Sequence, residues 1–195
     1  MRNHFGKYSI LLLSFIFLLM ACSEDDETTQ EDLLYGTWEI QSSELTAYSF
    51  TGSFLFFSGE IDQDNIRSIP VLSDYANDLE DTLKAAVDEA LPPGTTLTIN
   101  ENNDYTLNSN SYLNGGGTWA TEGNQLILNV DVDNEPFQLA YNIEQLIEDQ
   151  LIVVLTVDEQ KLAELTGGVI ELTYEGVTID EYSLSYTFNF TKQQQ

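Results

Sequence analysis

Histidine, cysteine and positive charge are nearly missing from this chain. Its one histidine is His4, its one cysteine is Cys22, and six basic residues face 33 acidic ones. A lone cysteine closes no internal disulfide. With no histidine after residue 4, Ser–His and Cys–His nucleophiles, histidine proton shuttles and ordinary zinc centres have no residues to build on in the rest of the chain. A net charge of −27 repels phosphate backbones and argues against nucleic acid as a partner. No glycine loop joins a strand to a helix to cradle a phosphate, since Gly115-Gly116-Gly117 opens a strand instead. Long apolar runs are also lacking. The longest, Ile10 to Met20, is eleven residues, too short to cross a bilayer as a helix.

That run has the length of a signal-peptide core, and Arg2 and Lys7 precede it as a positive n-region. It ends Leu19-Met20-Ala21-Cys22, which resembles the lipobox of bacterial lipoproteins. The resemblance implies that residues 1–21 are removed and that Cys22 is acylated, giving the one cysteine a role. Two or three acyl chains, at roughly 0.8 kcal/mol per buried CH₂, make a stable membrane anchor. Ser23-Glu24-Asp25-Asp26-Glu27 follow directly and are similar to the surface-export signal of Bacteroidota lipoproteins. Together these imply an outer-membrane lipoprotein displayed at the cell surface, with a periplasm-facing location as the alternative. Residues 22–32 read as an acidic flexible tether. The mature chain of 174 residues then carries four basic residues, Arg67, Lys84, Lys161 and Lys192, against 33 acidic ones, a net charge of −29. Its length suits one domain, expected over residues 33–192.

Most of that domain has a period of two. Trp38 and Ile40 alternate with Glu39 and Gln41, and the aromatic stretch Phe50 to Phe57 continues as a hairpin or as one long bent strand. Residues 60–72 read as irregular. Leu97 and Ile99, then Tyr105 and Leu107, flank a turn at Asn100 to Asp104. Leu126, Leu128, Val130 and Val132 alternate with polar neighbours, as do Phe137, Leu139, Tyr141 and Ile143. Leu151 to Val157 is apolar on both faces and is expected to be a covered strand. Asp158 is placed to cap a short helix through Leu165, stopped by Gly167-Gly168. Ile170, Leu172 and Tyr174 suggest one more strand, and Tyr182, Leu184, Tyr186, Phe188 and Phe190 give the cleanest alternation of all.

One segment changes period. Between Ser73, a natural N-cap, and Pro92-Pro93-Gly94, apolar residues recur at three and four: Tyr75 or Ala76, Leu79, Leu83, Ala86 or Val87, and Ala90. This is an amphipathic helix inserted at about residues 73–93. It either packs its stripe on the barrel or plugs one end, or it acts as a lid. Strands joined by short turns pair antiparallel, and closure removes their open edges. The expected fold is mainly β, an antiparallel up-and-down β-barrel of about 8–10 strands with one inserted helix, and a β-sandwich is the alternative.

Leu34-Tyr35-Gly36-Thr37-Trp38, then Ile99 to Leu107, then Gly117-Thr118-Trp119 through Leu128 together resemble the lipocalin-like domains of Bacteroidota lipoproteins. The resemblance covers roughly residues 33–191. It implies a Gly-x-Trp motif at Gly36 and Trp38, with Trp38 packed across the closed end of the barrel; Gly117 and Trp119 repeat the pattern. In classical lipocalins an Arg from a late strand covers that Trp. No Arg follows Arg67 here, and Lys192 is expected to be a poor substitute.

No catalytic constellation stands out, so an enzyme is not expected. A carboxylate-based hydrolase, the alternative, needs two carboxylates held about 5–9.5 Å apart across a cleft. Calcium is the one candidate cofactor, at Asp131, Asp133 and Glu135, with Asp62 to Asn65 as a weaker site. Asp and Asn also gather in turns for backbone reasons. The favoured function is a binding barrel for a small apolar or amphipathic molecule or a glycan, lined by Phe137, Tyr141, Tyr182, Tyr186 and Phe188. The alternative is a filled barrel that serves a structural or partner-interaction role, with the protein partner unspecified. The membrane is reached through the anchor on Cys22.

Overall fold

A computed structural model describes residues 28–54, 57–69, 72–111, 113–132, 135–166 and 177–194. Its elements run α1 (Gln30–Leu34), β1 (Gly36–Phe54), β2 (Phe57–Asp62), a 3₁₀ turn (Ile66–Ser68), α2 (Ser73–Ala90), β3 (Thr96–Ile99), β4 (Asp104–Asn108), β5 (Gly115–Glu122), β6 (Gln125–Val132), β7 (Glu135–Leu146), β8 (Gln150–Asp158), α3 (Glu159–Thr166) and β9 (Val177–Lys192). Every pairing is antiparallel between neighbours, and β9 returns to pair with β1. Eight strands, β1 and β3 to β9, therefore close an up-and-down barrel, with β2 as a ninth strand outside the ring.

β1 explains the shape. It pairs with β9 from Trp38 to Phe54, but its other edge is shared. Gly36 to Glu39 pair with β3, and Ser49 to Phe54 pair with β2. Two register shifts, between Ile40 and Ser42 and between Leu45 and Ala47, each insert one extra residue. Such bulges bend a strand and raise its twist. They also move the inward phase, so that the buried residues of β1 run Trp38, Ile40, Ser43, Tyr48, Phe50. The long-bent-strand expectation holds, and β2 occupies part of the stretch expected to be irregular. The free edge of β2 is blunted by Asn65, whose Oδ1 accepts from the Asp62 amide at 3.0 Å while its Nδ2 donates to the Glu60 carbonyl at 3.3 Å.

α2 sits where β1 lacks a strand neighbour. It runs antiparallel to β1, with Glu80 bonded to Tyr48 and Asp88 bonded to Ser43. Its stripe of Ala76, Leu79, Leu83, Val87 and Ala90 is buried in the same core as the inward faces of the strands. The inward Tyr186 hydroxyl donates to the Leu83 carbonyl at 2.9 Å. The helix thus covers the barrel interior. It begins at Ser73 with Leu72 as its N-cap, one residue earlier than Ser73 itself would set. α3 is capped as expected, the Lys161 amide donating to Asp158 Oδ1 at 2.8 Å, and it packs beside α2 and against β8.

Three expectations change. The acidic tether was drawn through Asp32, yet Gln30–Asp32 already belong to α1, because Thr29 and Asp32 form a reciprocal capping box. β8 buries Leu151, Val153, Leu155 and Val157, but Ile152 and Val154 face outward and are half-buried rather than covered. Along the wall they lie beside Gln145 and Asn142 of β7 and Asn189 and Thr187 of β9. The expected strand at Ile170, Leu172 and Tyr174, and the stop at Gly167-Gly168, lie outside the described residues.

Candidate functional site

The best-built constellation is the closed end, where β1, β3, β5, β9 and α1 meet. Trp38 has no exposed surface, and its indole Nε1 donates to the Leu34 carbonyl at 2.7 Å. Lys192, its cross-strand partner on β9, places Nζ 4.9 Å from the centre of the Trp38 ring and donates to the Leu33 carbonyl at 2.9 Å. Lys192 therefore does lie over the tryptophan, contrary to the expectation that it would substitute poorly. Gly36 makes this possible. A Cβ there would lie 2.7 Å from Lys192 Cε, and the backbone φ of +125° is one that side chains disfavour. Burial pulls the Lys192 ammonium below its ordinary pKa, with Glu148 opposing that shift.

The second Gly-x-Trp repeats the device. Trp119 donates from Nε1 to the Asn100 carbonyl at 2.9 Å, tying β5 to the β3–β4 turn, and it stacks edge-on with Tyr35 at 5.8 Å. A Cβ on Gly117 would fall 2.0 Å from the Asn129 carbonyl oxygen and 3.1 Å from the Tyr105 ring. Each tryptophan thus pins a segment that crosses the barrel end. This end is a latch of buried rings and carbonyls, and it presents no reactive group to solvent.

The candidate lining residues do share the inward face. Tyr141, Tyr182, Tyr186 and Phe188 are buried, and Phe137 is partly buried against the same core. Tyr141 and Phe188 meet edge-to-face at 6.2 Å. Phe188 has no exposed surface, so no water-sized space touches it, and Tyr186 has 1 %, Tyr141 5 % and Tyr182 8 %. Desolvation raises the phenol of Tyr182 to about 12 and pushes those of Tyr141 and Tyr186 higher still. The Tyr182 hydroxyl is buried without a hydrogen-bond partner.

Two polar clusters join α2 to the barrel. Arg67 makes a two-pronged contact with Glu80 at 2.9 and 3.0 Å, and Glu80 also accepts from the Tyr48 hydroxyl at 3.0 Å. Ser43 donates to Asp88, which also pairs with Lys84. Ser43, Lys84 and Asp88 bring a hydroxyl, an amine and a carboxylate together. The Ser43 hydroxyl is donated to the Asp88 carboxylate, however, and Lys84 donates to Ser43 Oγ at 3.5 Å, so the amine is not placed to take the serine proton.

An open concavity of about 330 Å³ lies on the rim, lined by Pro92, Pro93, Gly94, Thr95, Asn108, Ser109 and Asn110. Nothing in the sequence's periodicity marked it, because it forms where the α2–β3 linker meets the end of β4. Of the calcium candidates, Asp133 lies outside the described residues, as do the side chains of Asp131 and Glu135; their backbone flanks the β6–β7 hairpin. At the weaker site, Asp62 Oδ1 accepts from the amides of Asp64 and Asn65 at 2.9 and 2.8 Å, which accounts for it as a turn former. Among the described residues no group of three or more metal-ligating side chains converges. Cys22 and the expected signal sequence also lie outside the described residues. No protein-family model, curated protein or solved structure matches the chain.

Proposed function

We propose that this chain is a surface-displayed outer-membrane lipoprotein, anchored through Cys22, whose filled lipocalin-like barrel is a non-catalytic scaffold for interaction with a partner. The observation that carries this reading is the packing of the interior. Trp38, Tyr186 and Phe188 have no room beside them, and α2 is bonded into the inward face through Tyr186. A carrier of apolar ligands keeps a cavity of several hundred Å³ lined by such side chains. Here Tyr141 and Phe188, two of the side chains expected to line one, pack edge-to-face at 6.2 Å.

The test is to replace residues 73–93 by a short Gly/Ser linker and to follow unfolding together with binding of an environment-sensitive apolar dye. A scaffold gives clear destabilisation and non-saturable dye binding. Saturable one-to-one binding would make ligand carriage the better reading, with α2 as its lid.

A second reading concerns the rim concavity. All seven of its lining residues are uncharged in a chain with 33 acidic residues. Two prolines offer an apolar platform, and Asn108 and Asn110 offer amide donors and acceptors, which suits a neutral saccharide. Titration of neutral oligosaccharides into the wild type and into an Asn108→Ala, Asn110→Ala variant tests it; binding unchanged by the substitutions removes this site.

A further inference from the structure

The barrel has a fixed polarity that determines how an anchored copy stands on a membrane. α1 is not a loose continuation of the tether. Its C-terminal carbonyls, Leu33 and Leu34, accept from Lys192 and Trp38, Glu31 accepts from the Thr121 hydroxyl at 2.9 Å, and Tyr35 stacks on Trp119. Its first turn is closed by the Thr29–Asp32 capping box. The chain leading back to Cys22 therefore leaves from the closed end, at Thr29. Six residues separate the two, and the seven Cα–Cα steps across them reach at most about 25 Å when fully extended. β9, with 16 residues, rises about 53 Å along its own path, or about 40 Å along the axis of a barrel with ordinary strand tilt. The tether is shorter than the barrel is tall.

Two further observations point the same way. Among the described residues the one large apolar side chain with substantial exposure is Ile147, at 45 %. It sits in the β7–β8 turn, next to Asp149, whose carbonyl accepts from the Lys192 amide, and so lies at the closed end. Three of the four cations among the described residues lie elsewhere, Lys192 being held over Trp38. Arg67, Lys84 and Lys161 are on the 3₁₀ turn, α2 and α3, each paired with a carboxylate. No basic residue occurs between Lys84 and Lys161, so β3 to β8 form a wall without positive charge. A wall of that kind has no electrostatic attraction for lipid headgroups and is repelled by anionic ones.

We propose that the closed end, with Ile147 at its tip, faces the bilayer, and that α2, α3 and the rim concavity are carried outward. This rests on the acylation of Cys22 in the reading above.

The test uses acylated protein in vesicles of phosphatidylcholine that contain a headgroup-linked nitroxide lipid. Because acylation consumes Cys22, an introduced cysteine is the only thiol. A fluorophore on Glu101→Cys, in the exposed β3–β4 turn, is expected to be quenched several-fold more than one on Asp81→Cys, on the exposed face of α2. Inserting a Gly/Ser linker of about 20 residues after Glu27 should keep the protein on the vesicles and abolish the difference. Equal quenching at the two positions without the insertion, or stronger quenching at residue 81, overturns the proposal. Co-sedimentation separates the two ideas. Cys22→Ser should stay in the supernatant, and if the unsubstituted chain also stays there, the acylation reading has failed and the orientation falls with it.

Discussion

The pair formed by Trp38 and Lys192 offers the sharpest perturbation. Trp38 is fully buried, fills the closed end and donates to the Leu34 carbonyl at 2.7 Å. Replacing it by Ala removes a large core ring and is expected to cost about 3–5 kcal/mol. Lys192→Met keeps most of the stem that crosses Gly36 and removes the charge. That forfeits a cation–π contact of about 0.5–1 kcal/mol and a hydrogen bond to Leu33 worth about 1 kcal/mol, since the ammonium is only partly buried. The expected loss is about 1–2 kcal/mol. Part of it depends on the ring. In a Trp38→Leu background the same Lys192→Met change should cost about 0.5–1 kcal/mol less, because only the bond to Leu33 remains to be lost. Urea unfolding of the four proteins, followed by far-ultraviolet circular dichroism with the slope of each transition checked, gives the coupling directly. If Lys192→Met costs the same with and without the indole, the ammonium is not working through the ring. A Trp38→Ala loss below about 1 kcal/mol would remove the closed-end latch altogether.

Other outcomes follow from the same geometry. Gly117→Ala places a methyl 2.0 Å from the Asn129 carbonyl oxygen, so β5 and β6 must part; a loss of about 3 kcal/mol is expected, and a change under 0.5 kcal/mol in the urea midpoint would contradict it. Alkali should unfold the protein. Burial raises the phenols of Tyr105 and Tyr182 to about 12 and those of Tyr141 and Tyr186 beyond that. An unfolded phenol titrates near 10, so the stability these groups contribute is fully present below about pH 10 and is lost as pH rises through the folded values. A urea midpoint that stays level from about pH 9 to 12 contradicts buried phenols. Cys22→Ser should release a soluble form. Replacing Glu24, Asp25, Asp26 and Glu27 by Ala should leave the lipoprotein anchored yet shielded from protease added to whole cells; equal accessibility refutes the export-signal reading.

Much of the barrel can be read from local pattern. The alternation of Tyr182, Leu184, Tyr186, Phe188 and Phe190 describes the inward face of β9, and all five are buried. The three-and-four spacing of Leu79, Leu83, Val87 and Ala90 likewise marks the face that α2 buries. What escapes pattern is non-local. In β1 each of the two bulges changes the inward spacing from two to three, so Ser43 falls on the face that strict alternation from Trp38 assigns to its neighbours, and the second bulge returns Tyr48 to the original phase. Lys192 was undervalued because residue type alone contrasts Lys with Arg. The space that admits its stem comes from Gly36, 156 positions earlier in the chain. The capping box that ends the tether was visible as Thr29 and Asp32, but an acidic run hides it. Ile152 and Val154 show that apolar residues on both faces of a strand do not by themselves place it between two layers, since their face is only half-buried.

The central claim is that the barrel is filled by its own side chains and by α2. Native mass spectrometry of the protein purified from its own host, in a detergent that preserves non-covalent complexes, tests it most directly. A filled barrel gives one species, at the mass of the mature chain plus its acyl groups on the anchoring proposed above, and no retained small molecule. A stoichiometric extra mass that departs on activation, and that returns when the released compound is added back, would contradict it.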